Sequence, residues 1–143
     1  MRRFKFRLEA VLKHRVVMEE LAQQAFAKVQ LELKAADHAL AEMRTAYAEA
    51  VAGRGAGIDL EDVSRRERYI DALLVRIGEQ ERVIEGINAR LNDARIALVS
   101  ARQAREAIER VKEQDYRQYL QDVAHEEQRQ IDEMATARHG RRG

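Results

Sequence analysis

Apolar residues recur at helical spacing through the first third of the chain. Each of two rows repeats every seven residues, and the rows are offset from each other by three and four residues. The rows are Leu12, Glu19, Phe26, Leu33, Leu40 and Tyr47, and Leu8, Arg15, Ala22, Val29, Ala36, Met43 and Ala50. Glu19 and Arg15 interrupt a seam that is otherwise apolar or small. Such a heptad seam predicts a helix in a left-handed coiled coil.

A glycine-rich segment ends this first seam. Residues 53–57 contain three glycines, and a helix continues through such a cluster only at a cost in free energy. Asp59 is a suitable N-cap for a second helix, and Ser64 with Glu67 matches a capping box a few residues later. The sequence therefore predicts a turn followed by a second helix that begins near Asp59.

The second helix carries a cleaner seam. Its rows are Val63, Ile70, Ile77, Ile84, Leu91 and Leu98, and Leu73, Gln80, Ile87, Ala94, Ala101 and Ile108. Beyond Ile108 the same register would place mostly polar residues at seam positions, namely Lys112, Asp115, Tyr119, Asp122 and Glu126. The apolar residues move instead to Tyr116, Leu120, Val123 and Met134. This change indicates a stutter or a different partner surface.

The predicted fold is all-α, a two-helix antiparallel coiled-coil hairpin with a longer second helix. We expect one unit over 1–143, with helix 1 at about 4–52, a turn at 53–58, helix 2 at about 59–137 and a basic disordered tail at 138–143. A hairpin folded near residue 55 pairs Phe4 with the neighbourhood of Ile108, so residues after about 110 should lack an internal partner. Parallel self-association through either seam is the competing architecture, which the short glycine loop disfavours.

Composition agrees with a helical protein that buries only a seam. The chain has no proline, 36% charged residues and 5% aromatic residues. A formal net charge of +1 argues against a general nucleic-acid binder. Charge is nevertheless segregated, because residues 2–15 carry six basic side chains and one acid, and residues 113–133 carry seven acids and two arginines. No apolar run is long enough to span a bilayer and no secretory signal is evident, so we expect a cytoplasmic location.

No constellation for chemistry emerges. The cluster of glycines lacks the lysine of a phosphate-binding loop, and the segment from His125 to Arg129 has arginine where a zinc motif needs its second histidine. Acid–base catalysis needs a desolvated pocket, which a two-helix protein does not provide. We expect no enzymatic activity, cofactor or metal site.

Two features of the second helix point to partners. Tyr116, Leu120 and Val123 form an i, i+4, i+7 stripe, which is typical of a helix that binds in a groove. The alternatives for this stripe are self-association or a contact with the aromatic residues near the start of the chain. Gly78 and Gly86 lie inside the helix, where they indicate either local flexibility or a bend or close contact with a partner.

Three blocks of the sequence are distinctive. They are RFKFRLEAVL at 3–12, GIDL at 57–60 with Tyr69, Ile70 and Leu73 after it, and the segment 119–135. Together these blocks resemble the flagellar FliJ family. The resemblance implies a soluble component of the flagellar type III export apparatus, a coiled coil similar to the central stalk of rotary ATPases. It implies binding to the pore of the hexameric export ATPase, to the membrane export gate and to export chaperones, without catalytic residues and peripheral to the inner membrane.

Residues for two contacts follow from the stripe, the charge and the resemblance. For the ATPase ring we expect Arg2, Arg3, Phe4, Arg7, Tyr116, Leu120, Val123 and Arg129. For the export gate the resemblance implies Leu40, Met43, Tyr47, Tyr69 and Leu73, with ordinary seam packing as the alternative for Leu40 and Leu73. The competing functions are a generic scaffold or tethering coiled coil, a virulence-type secretion stalk, and a basic-region binder of nucleic acid or membrane surfaces. We expect neither nucleic acid as a partner nor insertion into the membrane.

Overall fold

The computed structural model describes residues 2–55 and 59–142, which form two helices and no strand. Helix α1 spans Glu9–Ala52 (44 residues) and helix α2 spans Leu60–Arg142 (83 residues). Residues on α1 and α2 pair in antiparallel order, as in the ion pairs of Glu32 with Arg90 and of Arg44 with Glu81. These observations confirm the predicted all-α hairpin with its longer second helix.

Helix α1 begins at Glu9, five residues later than the predicted start. Residues 2–6 have no regular structure and residues 7–8 form a turn. The carbonyl of Phe6 accepts a hydrogen bond from the backbone N–H of Glu9 at 3.2 Å, and the Phe6 side chain is buried. Because burying an aromatic side chain contributes more free energy than one further helical turn, the chain leaves the helical path before Glu9.

The connection between the helices is organised by arginines. Arg54 forms a two-bond ion pair with Glu67, at 3.0 and 3.1 Å, and Arg66 donates to the carbonyl of Gly53. Gly55 has a φ of 87°, a left-handed conformation that suits glycine. Residues 56–58 of the predicted turn lie outside the described residues. Glu67 is therefore used to hold the turn and not in the predicted capping box.

Both ends of α2 differ slightly from the predicted bounds. Asp59 precedes the first helical residue, and its Oδ1 lies 3.4 Å from the N–H of Glu61, as an N-cap requires. The helix continues to Arg142 through most of the stretch predicted to be a disordered tail. Its last turn carries His139, Arg141 and Arg142, and positive charge at the C-terminal end of a helix interacts favourably with the helix dipole.

Contacts group the residues into two compact units, where the sequence predicted one over 1–143. Unit 1 comprises Met1–Glu20 and Ser100–Gly143, and unit 2 comprises Leu21–Val99. The buried residues of unit 2 belong to the predicted seam and are Ala36, Leu40, Ile70, Leu73 and Ile87; those described in unit 1 are Phe6, Leu12 and Glu19. Within the described ranges, neither helix contains a stretch apolar enough to cross a membrane.

Candidate functional site

An aromatic cluster lies at the start of unit 1. The ring centroid of Phe4 is 5.2 Å from that of Tyr116, edge to face, and 5.4 Å from that of Tyr119. The two tyrosine rings are stacked at 6.2 Å. Aromatic pairs in such arrangements each contribute about 0.5–1.5 kcal/mol beyond the area that they bury. The cluster therefore fixes the segment that carries Phe4 against α2.

Residues 2–8, called the clasp below, make further contacts with α2. The Tyr119 hydroxyl donates a 2.7 Å hydrogen bond to the backbone carbonyl of Arg2. Lys112 places its Nζ 5.9 Å from the ring centroid of Phe6, and the same ammonium pairs with Glu9 at 3.0 Å. The clasp is thus held at two levels of α2, at Lys112 and at Tyr116–Tyr119.

These contacts correct the prediction that α2 lacks an internal partner after about residue 110. The clasp pairs with α2 as far as Tyr119, and it supplies the contact of Phe4 with Tyr116 that was the alternative for the apolar stripe. The heptad register does not fail at Ile108, because Lys112, Asp115 and Tyr119 are all partly buried at the positions that the seam assigns to them. Lys112 pairs with Glu9 in the first turn of α1 and lies over Phe6, and Tyr119 contacts the clasp at Phe4 and Arg2.

The cations of the clasp are exposed. Arg2, Arg3, Lys5 and Arg7 all have exposed side chains, and within the described ranges none of them forms an ion pair. By contrast, Lys112 beside them is paired with Glu9. The clasp therefore presents four positive charges within six residues.

The predicted ATPase-contact residues all lie in unit 1, but only some of them come together. Tyr116 and Leu120 remain 46% and 48% exposed. Val123 is half-buried and lines, with Arg2, a groove of about 550 Å³. Arg129 is instead held on its own helix by Glu126, at 2.8 Å. Phe4 contacts Tyr116, and Arg2 and Val123 line the groove. Tyr119 joins the two sets, because it contacts Phe4 and also lines the groove.

Tyr119 is the residue that the sequence reasoning missed at this site. The heptad pattern places it in a failing register, whereas its ring contacts Phe4, stacks on Tyr116 and anchors the Arg2 carbonyl. A signal in the sequence was that seven-residue steps from Leu98 lead through 105 and 112 to Tyr119. At Tyr119 an aromatic residue in the seam has a different kind of partner, whereas the next seam positions, Asp122 and Glu126, are exposed.

A charged layer occupies the seam of unit 1. Glu19, which interrupts the apolar row of α1, is buried and accepts a hydrogen bond from Nε of Arg105. Arg105 also pairs with Glu109 at 2.7 Å, and Arg102 lies 3.6 Å from Glu19. The hydrogen bonds to Glu19 and then to Glu109 raise the pKa of Arg105 above its ordinary value. Glu19 is therefore paired across the seam with Arg105, which lies seven residues after Leu98 in the row of α2.

The predicted gate-contact residues lie in unit 2 and divide by burial. Leu40 and Leu73 are 8% and 3% exposed, so their side chains pack between the helices and offer no surface to a partner. This burial favours the alternative that was left open for both residues, seam packing, and their contact with a gate stays a prediction. Met43 and Tyr47 are half-buried, and Tyr69 is 51% exposed. Leu74, which the sequence reasoning did not select, is also exposed, to 48%.

Comparisons with known proteins agree with this architecture. The model of the family described as "Flagellar FliJ protein" matches residues 4–143. No curated protein matches the sequence. A solved structure, of a protein described as a YscO homolog, CT670, from Chlamydia trachomatis, is similar with a TM-score of 0.56 and 17% sequence identity, and the match covers 96% of each chain. At this identity the similarity shows a shared fold.

Proposed function

Because this chain belongs to the flagellar FliJ protein family, we propose that it acts in flagellar type III export as a stalk-like partner of the export ATPase ring. In this proposal it also links the ring to the export gate and to export chaperones, in the cytoplasm at the inner membrane. It performs no chemistry itself. The observation that carries the proposal is the surface in unit 1 where exposed apolar residues lie beside exposed cations.

The ATPase contact is assigned to this surface for two physical reasons. Tyr116 and Leu120 keep close to half of their side-chain surface exposed, and a helical stripe of this kind gains free energy by entering an apolar groove. The cations of the clasp add electrostatic steering, which raises the rate of association with an acidic surface. Arg129 is the weaker candidate because its charge is already compensated by Glu126.

The gate contact is assigned to unit 2, beside the turn. Met43, Tyr47 and Tyr69 carry the accessible surface there, and Leu40 and Leu73 support them from the packed seam. Exposed tyrosines are frequent anchors at protein interfaces, because a rigid ring buries a large area at a small cost in conformational entropy. Chaperone binding is part of the proposal through the family alone, and we assign no residues to it.

The test of the ATPase contact is a pair of leucine substitutions. We expect Leu120→Ala to weaken binding to the purified export ATPase about tenfold, a typical effect for a truncated interface anchor. Leu60→Ala is the matched control, because Leu60 is 84% exposed and belongs to unit 2. If both variants bind the ATPase as tightly as the parent and keep its helicity, the stripe is not part of the interface. Absence of any binding by the parent chain would refute the proposed partner and favour a generic scaffold.

The gate contact has its own test. Tyr69→Ala should weaken binding to the cytoplasmic domain of the export gate protein and leave ATPase binding unchanged. Leu74→Ala is the control, because Leu74 is similarly exposed on the same helix but lies about 140° away from Tyr69 around the helix axis. It should bind the gate domain as tightly as the parent. If Tyr69→Ala binds the gate domain as tightly as the parent, the assignment of this surface is wrong.

A further inference from the structure

The clasp has a defined position although it has no regular secondary structure. Residues 2–6 make no helical turn, so their contacts with α2 and with the start of α1 offset the conformational entropy of ordering them. At the Phe6 end these are the burial of the Phe6 ring and the backbone hydrogen bond from Glu9 to Phe6. At the other end they are the edge-to-face and tilted contacts of Phe4 with Tyr116 and Tyr119 and the hydrogen bond from the Tyr119 hydroxyl to the Arg2 carbonyl. Phe4 and Tyr119 therefore determine where the neighbouring charges lie.

The position of the clasp brings two kinds of surface together. Phe4 is flanked by Arg3 and Lys5, both exposed, and its ring contacts Tyr116 on the apolar stripe. Tyr116 keeps 46% of its surface exposed with the clasp in place. The clasp thus leaves the stripe accessible and adds a row of cations at its side.

The charges around this surface select among partners. The groove that Arg2 lines also has Asp122, Glu126 and Glu127 in its wall. An extended polyanion, such as a nucleic acid or an anionic membrane, would meet these carboxylates next to the cations and be repelled by them. A protein surface can instead place a small cluster of carboxylates against the clasp and an apolar patch against the stripe.

We infer that Phe4 and Tyr119 are positioning residues, which hold the cations of the clasp beside Tyr116 and Leu120 so that both form one docking surface. The partner surface that fits it has clustered carboxylates next to an apolar groove. The inference rests on the proposed function and adds the chemistry by which the ATPase ring is recognised. In this inference Tyr119 acts indirectly. It positions Arg2, Arg3 and Lys5, and these cations contact the partner.

The test measures the association rate with the purified export ATPase as a function of ionic strength. The full chain is compared with Phe4→Ala, Tyr119→Ala and Tyr119→Phe. Leu60→Ala is the matched control, since it removes an exposed apolar side chain from unit 2. The clasp itself is followed by near-ultraviolet circular dichroism, to which tyrosines contribute most because the chain has four tyrosines and no tryptophan.

We expect Phe4→Ala and Tyr119→Ala to associate about tenfold more slowly at low ionic strength and to depend less on salt, because the cations are no longer held in place. Tyr119→Phe keeps the stacking and loses one hydrogen bond, so it should lie between them and the parent. Leu60→Ala should match the parent. If Phe4 and Tyr119 served only stability, replacing them would lower the amount of folded protein and leave the salt dependence of the association rate unchanged.

Several results would overturn the inference. If Phe4→Ala loses the near-ultraviolet signal but keeps the rate and salt dependence of the parent, the clasp does not position the cations, and the proposed function stands. If the parent does not bind the ATPase, the proposed function and the docking inference both fail. If anionic phospholipid vesicles or single-stranded RNA bind the parent and are released by Phe4→Ala, the partner class is wrong. Tyr119→Phe keeps the test valid should either alanine variant fail to fold.

Discussion

Ile70 is the most deeply buried large side chain among the described residues, at 1% exposure. Replacing it with alanine removes about three carbon atoms, whose transfer to water accounts for about 2.4 kcal/mol at ~0.8 kcal/mol for each carbon. A cavity left in the seam adds to this loss, since buried Ile→Ala changes cost about 2–5 kcal/mol. We expect Ile70→Ala to lower the free energy of unfolding by about 3 kcal/mol.

Leu74→Ala is the matched control for this change. It also removes about three carbon atoms from the same helix, but Leu74 is already 48% exposed. Only about half of the transfer term is then lost and no cavity forms, so the expected loss is about 1 kcal/mol. The two variants differ in burial and hardly at all in chemistry.

The assay is urea unfolding followed by the helical circular dichroism signal. A fall in the midpoint at an unchanged slope reports a change in stability and not in the denatured state. Melting temperatures should fall by about 9 °C for Ile70→Ala and about 3 °C for Leu74→Ala, at ~3 °C for each kcal/mol in a chain of this length. If the two variants agree within about 0.5 kcal/mol, Ile70 is not packed in a seam, and the assignment of the heptad rows to the interior is wrong.

The remaining predictions concern the glycines of α2 and the charged layer. Gly78→Ala and Gly86→Ala meet no atom within 4 Å of the added methyl group, so each should raise stability by about 0.5–1 kcal/mol in thermal unfolding. If a variant is more stable but motility falls, a partner approaches α2 at that glycine. If a variant is less stable, the added methyl group does not meet the open space found at these positions. Glu19→Ala should lower the melting temperature about twice as much as Glu32→Ala, because the Glu19 side chain is 11% exposed and that of Glu32 36%. The pKa of Arg105 is raised, so its contribution is present at all pH values below its unfolded pKa and is lost only above it. The difference between Glu19→Ala and the parent should therefore be constant from neutral to moderately alkaline pH, and a decrease over that range would contradict the assignment.

Much of the fold follows from local sequence. Leu12, Leu40, Ile70, Leu73 and Ile87 were seam residues by their seven-residue spacing, and all are buried. The glycine cluster and the absence of proline predicted two long helices with a break between them, and the described residues form helices that end at Ala52 and begin again at Leu60. These features are local because helix propensity and hydrophobic period depend on residues within a few positions of one another.

The candidate surfaces were less predictable. The seam pattern that identified Leu40 and Leu73 as apolar could not tell a packed residue from a partner contact, and the structure buries both. Glu19 was read as an interruption, since its partner Arg105 lies 86 residues away in sequence. Whether a charged seam residue disrupts or stabilises the packing depends on the residue opposite it, which the local sequence does not identify.

The sequence by itself determined that α2 is longer than α1. Only the tertiary structure decided that the clasp packs on the part of α2 that extends past α1. The start of the chain reads as helix from Phe4, because propensity and period are continuous there. In the structure the clasp is not helical, because Phe4 contacts Tyr116 and Tyr119, which lie more than a hundred residues away in sequence. Burial of two aromatic rings offsets the few backbone hydrogen bonds that a further helical turn would add. Such a competition between near and distant contacts becomes visible only when both partners are in place.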